Sequence, residues 1–537
     1  MPFSLYRQIL QQRQELFNKA LERGIHTPFI LPWDTTPVLF LWVGIALTPR
    51  LSNPWAIASR WLLTVSSIAY MALRWPYART LGQASGYGIG LSAFWGIIMT
   101  VILLLLHDPG KDFKRIEVRK TYTQDLGNTQ AISTTSSDTV PNGEIRKRKS
   151  NGDDEDVALH NPQNDTQLVW QEQPKGFYHL LDWSIDLMTS FRAINWAHRV
   201  PIRTYTINPP RGNPLRLSSE ERGRHRKELQ QLKKKSFQNF VLYYITLDIF
   251  KTVMVTDPYW LGVATLDSPS TWPWLLRLEQ ILPGITQALR LGGSMAAVVS
   301  ALTFIFSLNP LFFTVVLPYF VGEDKLYSLT KCPLLEVWMY PAQWGSMFST
   351  ICNRGLAGFW GTWWHQMFRY GISEPARLLA ERLQIGSKSA LGRVLQLFIA
   401  FGLTGGIHAV ASSTTFSIVP SKPWNPFLFF LSQALMMIVQ TEVSRRVNKA
   451  VELPSLIRQF GNLGFVLLVA WYTGHLLADD FARCGIWLFE PVPVCFFRGL
   501  GFGPADCWIP WLQSPAGGRW LGIWHGKHWS SSGLGIY

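Results

Sequence analysis

The stretch Val394–Val419 reads VLQLFIAFGLTGGIHAVASSTTFSIV, and it contains no Asp, Glu, Lys or Arg. A membrane-spanning helix needs about 20 consecutive apolar residues, so this stretch is long enough to cross a bilayer. Its one ionisable side chain is His408. Because burying an ionisable group in a membrane is costly, this histidine is a candidate functional residue. Gly405 and Gly406 before it permit close helix approach and leave room for a ligand beside the imidazole.

Other stretches of the chain are candidate spans, or parts of spans, by the same length rule. They are Thr27–Pro49, Leu51–Leu73, Thr80–Leu106, Phe237–Phe250, Leu291–Gly322, Pro423–Thr441 and Phe460–Ala478. The C-terminal part is aromatic and rich in Pro and Gly, and it is a candidate for one further pass. The pattern predicts an all-α, polytopic integral membrane protein with about eight transmembrane helices.

The composition agrees with several membrane spans interrupted by one polar segment. Hydrophobic residues make up 47% of the chain and charged residues 16%, and 25 tryptophans suit a protein that meets two membrane–water interfaces. The net charge of +15 does not indicate nucleic-acid binding, because Lys and Arg concentrate in the stretch Lys111–Lys235 between apolar segments. Basic loops between spans face the cytosol and the anionic headgroups of the membrane. We therefore expect membrane lipids, and no nucleic acid, as partners.

The changes in character along the chain predict its organisation. Residues 1–110 form an N-terminal amphipathic segment, which we expect to lie on the membrane surface, and the first spans. Residues 111–175 form a polar cytosolic loop that we expect to be disordered, because it is rich in breakers and poor in aromatic residues. Residues 176–236 form an interfacial helix and a basic loop, and residues 237–537 form the membrane core.

A second stretch with unusual chemistry is Phe359–Arg369, which reads FWGTWWHQMFR. An aromatic run of this kind is also typical of the belt that membrane proteins place at the lipid–water interface. His365 and Gln366 are adjacent, however, and Arg369 follows one helical turn later, which is unusual for such a belt. A positioned polar group and a cation suit the binding of a carbonyl group and of a phosphorylated carrier.

Together the two stretches resemble the wax-synthase-like branch of the membrane-bound O-acyltransferase superfamily. The resemblance rests on the run Phe-Trp-Gly-x-x-Trp-His-Gln, which ends at Gln366, and on Gly-x-x-His, Gly405 to His408, in a later apolar helix. It is strongest from about Ser328 to Arg446, and the chain most resembles fungal O-acetyltransferases of terpenoid and meroterpenoid pathways. The resemblance implies that the spanning helices surround an intramembrane reaction chamber.

The resemblance also implies a reaction and its residues. An acyl group, which we expect to be acetyl, moves from acyl-CoA to the hydroxyl of a lipophilic alcohol such as a terpenoid. His408 matches the catalytic histidine, and His365 matches the second position, which is usually Asn, Asp or His across the superfamily. Trp364, Gln366 and Arg369 are the expected substrate-binding residues. Acyl-CoA is a co-substrate, so we expect no bound cofactor and no metal, and we expect the endoplasmic reticulum membrane as the location.

The residues leave other interpretations open. A wax-ester synthase acting on long-chain alcohols is the first alternative. A transporter would also use an intramembrane histidine, to bind its substrate or to relay protons. A non-catalytic membrane scaffold would need neither His365 nor His408. The spacing of His475 and Asp479 also occurs in soluble acyltransferases, but here it closes an apolar segment and indicates a helix end that meets water.

Overall fold

The computed structural model describes residues 2–47, 53–120, 166–198, 219–502, 508–511, 521–526 and 528–536. Helices dominate these residues: α1 (Pro2–Glu22), α2 (Thr36–Leu47), α3 (Asn53–Arg74), α4 (Gln83–Thr100), α5 (Phe177–Thr189), α6 (Ser219–Met254), α7 (Pro273–Ile281), α8 (Ile285–Leu311), α9 (Leu317–Val321), α10 (Glu323–Leu329), α11 (Met347–Gly358), α12 (Arg369–Arg382), α13 (Ala390–Thr414), α14 (Trp424–Ala450), α15 (Ser455–Arg483) and α16 (Phe496–Gly499). The strands are short: β1 (Phe29–Leu31), β2 (Arg115–Lys120), β3 (Thr166–Gln171), β4 (Leu521–Trp524) and β5 (Gly533–Ile536).

Within the described residues, 6 helices are long and apolar enough to cross a membrane. They are Pro54–Arg74, Ser85–Leu106, Ile285–Val321, Ala390–Thr414, Trp424–Ala450 and Ser455–Arg483. Each of them overlaps a stretch that the sequence predicts as a span, so the all-α polytopic class is confirmed. The predicted number of about eight spans is not confirmed. The chain is a multi-pass integral membrane protein.

The first predicted span, Thr27–Pro49, is not a single helix. Its first part forms β1, which pairs with β5, and α2 then has only 12 residues. Asp34 explains the break, because its carboxylate accepts a hydrogen bond from the backbone N–H of Ile30 and pairs with Arg74 at the end of α3. This buried ion pair fixes the chain at the end of α3 and leaves too few residues for a full span.

The structure differs from the predicted organisation in two further places. The apolar stretch Phe237–Phe250 is the second half of α6, a helix of 36 residues that begins among basic residues at Ser219. The predicted boundary between residues 236 and 237 therefore falls inside a continuous helix. In the described residues after Arg483, α16, β4 and β5 take the place of a further pass.

The ends of the predicted disordered loop are ordered. β2 and β3 pair as antiparallel strands, with Arg115 opposite Gln171 and Lys120 opposite Thr166. Arg115 is fully buried, and its Nη2 donates to the Asp182 carboxylate of α5 at 2.6 Å. This ion pair anchors the hairpin to the helix that follows it. The centre of the loop, residues 121–165, lies outside the described residues, as does most of the basic loop before α6.

The N-terminal helix is amphipathic as predicted, but its apolar face contacts protein. Tyr6, Ile9, Arg13 and Phe17 of α1 are buried. Nη2 of Arg13 donates to the carbonyl oxygen of Phe416 at 2.6 Å, and the rings of Phe17 and Phe416 lie 5.2 Å apart. The apolar face of α1 therefore packs on the protein, and the position of this segment at the membrane surface stays a prediction.

The longest candidate span contains a proline and is interrupted just after it. Pro310 lies inside α8, where it has no backbone N–H to donate, and the π-helical turn Phe312–Val316 follows directly. α9 continues the helix to Gly322, whose φ of 87° ends it. The stretch Leu291–Gly322, predicted as a long kinked span or as a span with a re-entrant piece, is thus one long interrupted helix.

Candidate active site

His408 lies on α13, six residues before its end, and three neighbouring helices supply its contacts. Its Nδ1 is 2.9 Å from the hydroxyl oxygen of Tyr87 on α4. Its ring stacks on Phe430 of α14, with centroids 4.8 Å apart and planes 19° apart. Phe481 of α15 lies on another side, at 6.2 Å. The imidazole is therefore held at one nitrogen and on one face by side chains from separate helices.

Small residues bring these helices close together, as the sequence predicts. A Cβ on Gly405 would lie 3.1 Å from the Cα of Phe427, so α14 can approach α13 closely only because this residue is glycine. A Cβ on Gly90 would lie 2.5 Å from the Cα of Ala411, so α4 approaches α13 more closely still. These two approaches place Tyr87 and Phe430 against His408.

A buried carboxylate fixes α15 to the same part of α13. Asp480 accepts a hydrogen bond at 3.0 Å from the hydroxyl of Ser412, which lies one helical turn after His408. The same oxygen of Asp480 accepts from the backbone N–H of Lys422 at 3.1 Å. Buried polar groups that are satisfied in this way specify one packing arrangement. The pair thus holds Phe481, the neighbour of Asp480, beside the imidazole.

The His365 segment is formed by a break in α11. Gly355 has φ 55° and ψ −135°, a conformation that L side chains rarely adopt, and a Cβ there would meet the Gln440 amide. Oε1 of that amide accepts from the backbone N–H of Leu356 at 2.9 Å. The π-helical turn Phe359–Trp363 follows, and Trp364 ends it in an extended conformation. The chain therefore turns sharply just before His365.

His365 lies in an aromatic pocket. Its ring is 5.0 Å from that of Trp364, 5.8 Å from Trp344, 6.0 Å from Phe368 and 6.1 Å from Phe306. Within the described residues its Nδ1 is buried and has no hydrogen-bond partner. A buried polar atom without a partner is uncommon and is consistent with a ligand position.

Burial and nearby basic groups keep the His365 imidazole neutral. Burial is the main cause, and the influence of His408 and then of Arg192 adds to it, so that the pKa of His365 is lowered to about 3. At neutral pH one ring nitrogen is therefore a donor and the other an acceptor.

Aromatic rings connect the two histidines. Trp364, beside His365, lies 5.6 Å from Trp360, which in turn lies 5.7 Å from Phe430, the ring stacked on His408. Nε1 of Trp360 donates to Gln433 at 3.3 Å, and Nε2 of Gln433 donates to Thr473 on α15 at 3.0 Å. The structure thus brings the two predicted catalytic residues to opposite ends of one continuous aromatic wall.

The predicted substrate-binding residues are engaged with one another. Nε2 of Gln366 donates to the carbonyl oxygen of Trp364 at 2.6 Å, and its Oε1 accepts from Nη1 of Arg369 at 2.9 Å. Gln366 therefore holds the backbone of the turn in place. Direct binding of substrate by Trp364, Gln366 and Arg369 stays a prediction.

Two residues of this site lie outside the motifs of the sequence. Tyr87 is 321 positions from His408, and no local pattern marks it. Asp480 follows Asp479, at the segment end predicted to meet water, yet it is buried and hydrogen-bonded to Ser412. In the part of the chain that the structure describes, no three His, Cys, Asp or Glu side chains are grouped to hold a metal ion. The expectation of a reaction without metal or bound cofactor stays a prediction.

Parts of the chain match known proteins. Residues 340–432, which include both histidines and Phe430, match a family model described as the membrane bound O-acyl transferase family. The acetyltransferase eriL of Hericium erinaceus is 22% identical over 321 residues, which cover 59% of this chain and 71% of that protein. No solved structure matches the chain.

Two further relatives match smaller parts of their own length. The acetyltransferase spyB of Aspergillus fumigatus is 33% identical over 106 residues, 19% of this chain and 17% of spyB. An acetyltransferase of Arthrobotrys oligospora is 24% identical over 337 residues, 56% of this chain and 59% of that protein. The chain thus spans less than two thirds of the length of these two relatives. With the family match over the histidine region, the comparisons agree with the resemblance found in the sequence: residues 340–432 are similar to the membrane-bound O-acyltransferase family, the relatives are named as acetyltransferases, and together they support an acyltransferase enzyme.

Proposed function

We propose that the protein transfers an acetyl group from acetyl-CoA to the hydroxyl of a lipophilic natural product such as a terpenoid or meroterpenoid. The observation that carries this proposal is the placement of His408. Nδ1 of His408 contacts the Tyr87 hydroxyl, so Nε2 remains for a substrate. A row of aromatic rings extends from this imidazole to His365. The relatives named as acetyltransferases support the choice of an acetyl group.

In the proposed reaction His408 is the general base. When Nδ1–H donates to the oxygen of Tyr87, Nε2 has a free lone pair and accepts the proton of the acceptor hydroxyl. The hydroxyl oxygen attacks the thioester carbonyl carbon, the C–S bond breaks, and an ester and coenzyme A form. The proton passes from Nε2 to the leaving sulfur, so the imidazole returns to its neutral form.

His365 acts on the acyl donor in this proposal. Its neutral ring has a nitrogen available in a buried, aromatic pocket, where a hydrogen bond to the thioester oxygen is stronger than it is in water. A donor N–H directed at that oxygen stabilises the negative charge that develops in the transition state. Burial among Trp344, Trp364 and Phe368 also excludes water, which would otherwise compete with the acceptor alcohol.

The charge distribution suggests the side from which acyl-CoA enters. α13 and α15 begin, and α14 ends, at one end of the helix bundle, and that end exposes the cations Arg382, Lys388, Arg393, Arg445, Arg446, Lys449 and Arg458. By the positive-inside rule this end faces the cytosol, where acyl-CoA is available. We propose that the donor enters there, that the acceptor arrives from the bilayer, and that the protein resides in the endoplasmic reticulum membrane.

An acceptor panel tests the proposal. Microsomes bearing the protein receive acetyl-CoA with a labelled acetyl group and, separately, a hydroxylated terpenoid, a hydroxylated meroterpenoid and a long-chain alcohol. The proposal predicts labelled ester from the first two acceptors. Ester formation only from the long-chain alcohol, and with long-chain acyl-CoA, would instead support a wax-ester synthase. Uptake of an acceptor into vesicles without any ester would support a transporter.

A further inference from the structure

Arg192 lies in the segment that follows α5, close to the His365 pocket. Its neighbour Phe191 packs on Phe368 at 5.3 Å, and Phe368 packs on His365 at 6.0 Å. On its other side, Nη1 of Arg192 donates to Oε1 of Gln343 at 3.1 Å, and Gln343 precedes Trp344, another wall of the pocket. Contacts from two directions thus place the guanidinium beside the pocket.

The partners of Arg192 within the described residues are neutral. Besides Gln343 they are the carbonyl oxygens of Pro341 and Ala342, and Nε is buried without a hydrogen-bond partner. Burial lowers the pKa of Arg192 to about 10. The group remains a cation at neutral pH, and no carboxylate in the described residues compensates its charge.

Other arginines of this protein that are largely shielded from solvent face carboxylates. The pairs are Arg74 with Asp34, Arg115 with Asp182, Arg290 with Asp257, and Arg498 with Glu490. Arg13 resembles Arg192 in bonding to backbone carbonyls, but it lies on α1, beside the residues that precede α4 and follow α13. Arg192 is half-buried, and its Nε is buried without a partner in the described residues, which favours an anionic ligand at this cation.

The position of Arg192 indicates which anion this is. The rings of Phe191 and Phe368 lie between the Arg192 segment and His365, which bonds the thioester oxygen in the proposed reaction. An anion that contacts Arg192 is therefore a different part of the donor molecule, some distance from its thioester. In coenzyme A, a flexible pantetheine arm separates the sulfur from a phosphate. Arginine donates in a fork that matches phosphate geometry.

We propose that Arg192 binds the phosphate at the end of the pantetheine arm of the acyl-CoA donor. This inference rests on the proposed function and adds a specific recognition residue to it. The free Nε supplies a hydrogen bond to a phosphate oxygen, and the uncompensated charge supplies the attraction. The contact fixes the far end of the arm while His365 and His408 act on its thioester.

The test compares two donors that differ by one phosphate: S-acetyl-4′-phosphopantetheine and S-acetylpantetheine. Acetyl transfer is measured with each donor for the full-length wild type, Arg192→Met, which removes the charge, and Arg192→Lys, which keeps it. Arg277→Met removes an exposed cation of α7, which is not among the cations of the basic end, and serves as the control. Size-exclusion profiles in detergent establish that each variant is folded.

For Arg192→Met we expect KM for the phosphorylated donor to rise about 10- to 100-fold, the worth of a charge-assisted hydrogen bond. KM for S-acetylpantetheine and kcat for both donors should stay near the wild-type values. Arg192→Lys should recover part of the loss, and Arg277→Met should behave as wild type. Equal losses with both donors would overturn the proposal, because they would assign Arg192 to the reaction centre or to folding.

A binding measurement covers the case in which Arg192→Met turns over too slowly to assay. Titration of the detergent-solubilised protein with coenzyme A should give weaker binding for the methionine variant than for the lysine variant. Equal binding by the two variants would contradict the proposal. If the wild type forms no ester with any donor, the proposed function fails, whereas an equal loss with both donors in an active enzyme overturns only the role of Arg192.

Discussion

The hydroxyl oxygen of Tyr87 lies 2.9 Å from Nδ1 of His408, although the two residues are 321 positions apart in the chain. This contact joins α4 to α13 inside the bundle and occupies one of the two ring nitrogens. Because a neutral imidazole carries its proton on only one nitrogen, the partner at Nδ1 determines what Nε2 can do. Tyr87 is therefore a positioning residue for the proposed general base.

Replacing Tyr87 with Phe tests this role. The ring that packs against Phe481 is kept, and only the hydrogen bond to His408 is lost. We expect kcat for acetyl transfer to fall about tenfold, the worth of one hydrogen bond, with little change in KM. Tyr472→Phe on the exposed face of α15 is the control and should leave kcat unchanged. A change in KM alone would show that Tyr87 contacts substrate instead.

His365 is predicted to act through a hydrogen bond donated to the thioester oxygen. His365→Leu removes every polar atom and should lower kcat about 100-fold, a loss typical of one donor to a developing oxyanion. His365→Asn keeps a side-chain N–H and should retain more activity than the leucine variant. The kcat values of both variants are measured at saturating acetyl-CoA. Equal activity of the two variants would mean that the polar group of His365 does not take part.

Gly405 is predicted to set the distance between α13 and α14. A Cβ there would press on the backbone of Phe427, so Gly405→Ala should displace α14 together with Phe430, the ring stacked on His408. We expect the rate of acetyl transfer to fall and the free energy of unfolding to decrease by about 1–3 kcal/mol, the usual cost of overpacking. Gly402→Ala on the same helix meets open space and should be tolerated. Activity and thermal unfolding in detergent distinguish the two.

Glu374 is predicted to stabilise the contact between α12 and the end of α4. Burial acts to raise its pKa, but hydrogen bonds and charges from Arg377 and His107 outweigh this and lower the pKa of Glu374 to about 2. A depressed carboxyl pKa contributes stability that is complete above about pH 4.5, the usual value, and is lost as the pH falls towards 2. Glu374→Gln should therefore destabilise the protein at pH 7 by about 1–3 kcal/mol, allowing for the half-exposed Arg377.

The measurement for Glu374 is thermal unfolding in detergent at two pH values. The difference between wild type and Glu374→Gln should be clear at pH 7 and smaller near pH 3. Glu381→Gln provides the control, because Glu381 pairs with the same Arg377 on the exposed surface and should matter little. A difference that is as large at pH 3 as at pH 7 would show that packing, not charge, explains the effect.

The sequence predicts the parts of this protein that depend on local composition. Uncharged stretches of sufficient length become helices because backbone groups in a membrane must bond within their own segment, and Val394–Val419 accordingly forms most of α13. The same reasoning fails for Thr27–Pro49, where the Asp34–Arg74 ion pair and strand pairing with the C-terminal part decide the structure. Those partners are distant in sequence, so apolarity alone does not reveal them.

In the candidate site too, local composition reveals some residues, and contacts distant in sequence determine the others. His408 and His365 stand out because an imidazole in an apolar or aromatic stretch is unusual. Tyr87, Asp480 and Arg192 do not, because each owes its position to contacts between helices or loops far apart in the chain. A tyrosine in an apolar helix is ordinary until the structure shows which atom its hydroxyl contacts.

The central claim, that His408 is the base of an acetyl transfer, is tested most directly by one comparison. Microsomes with wild type, His408→Ala or His475→Ala receive labelled acetyl-CoA and a hydroxylated terpenoid, and labelled ester is measured at matched protein levels. His475 is an exposed histidine on the neighbouring α15. The account predicts ester from wild type and His475→Ala and at least a 100-fold loss, roughly the contribution of a general base, for His408→Ala. Undiminished ester formation by His408→Ala would contradict it.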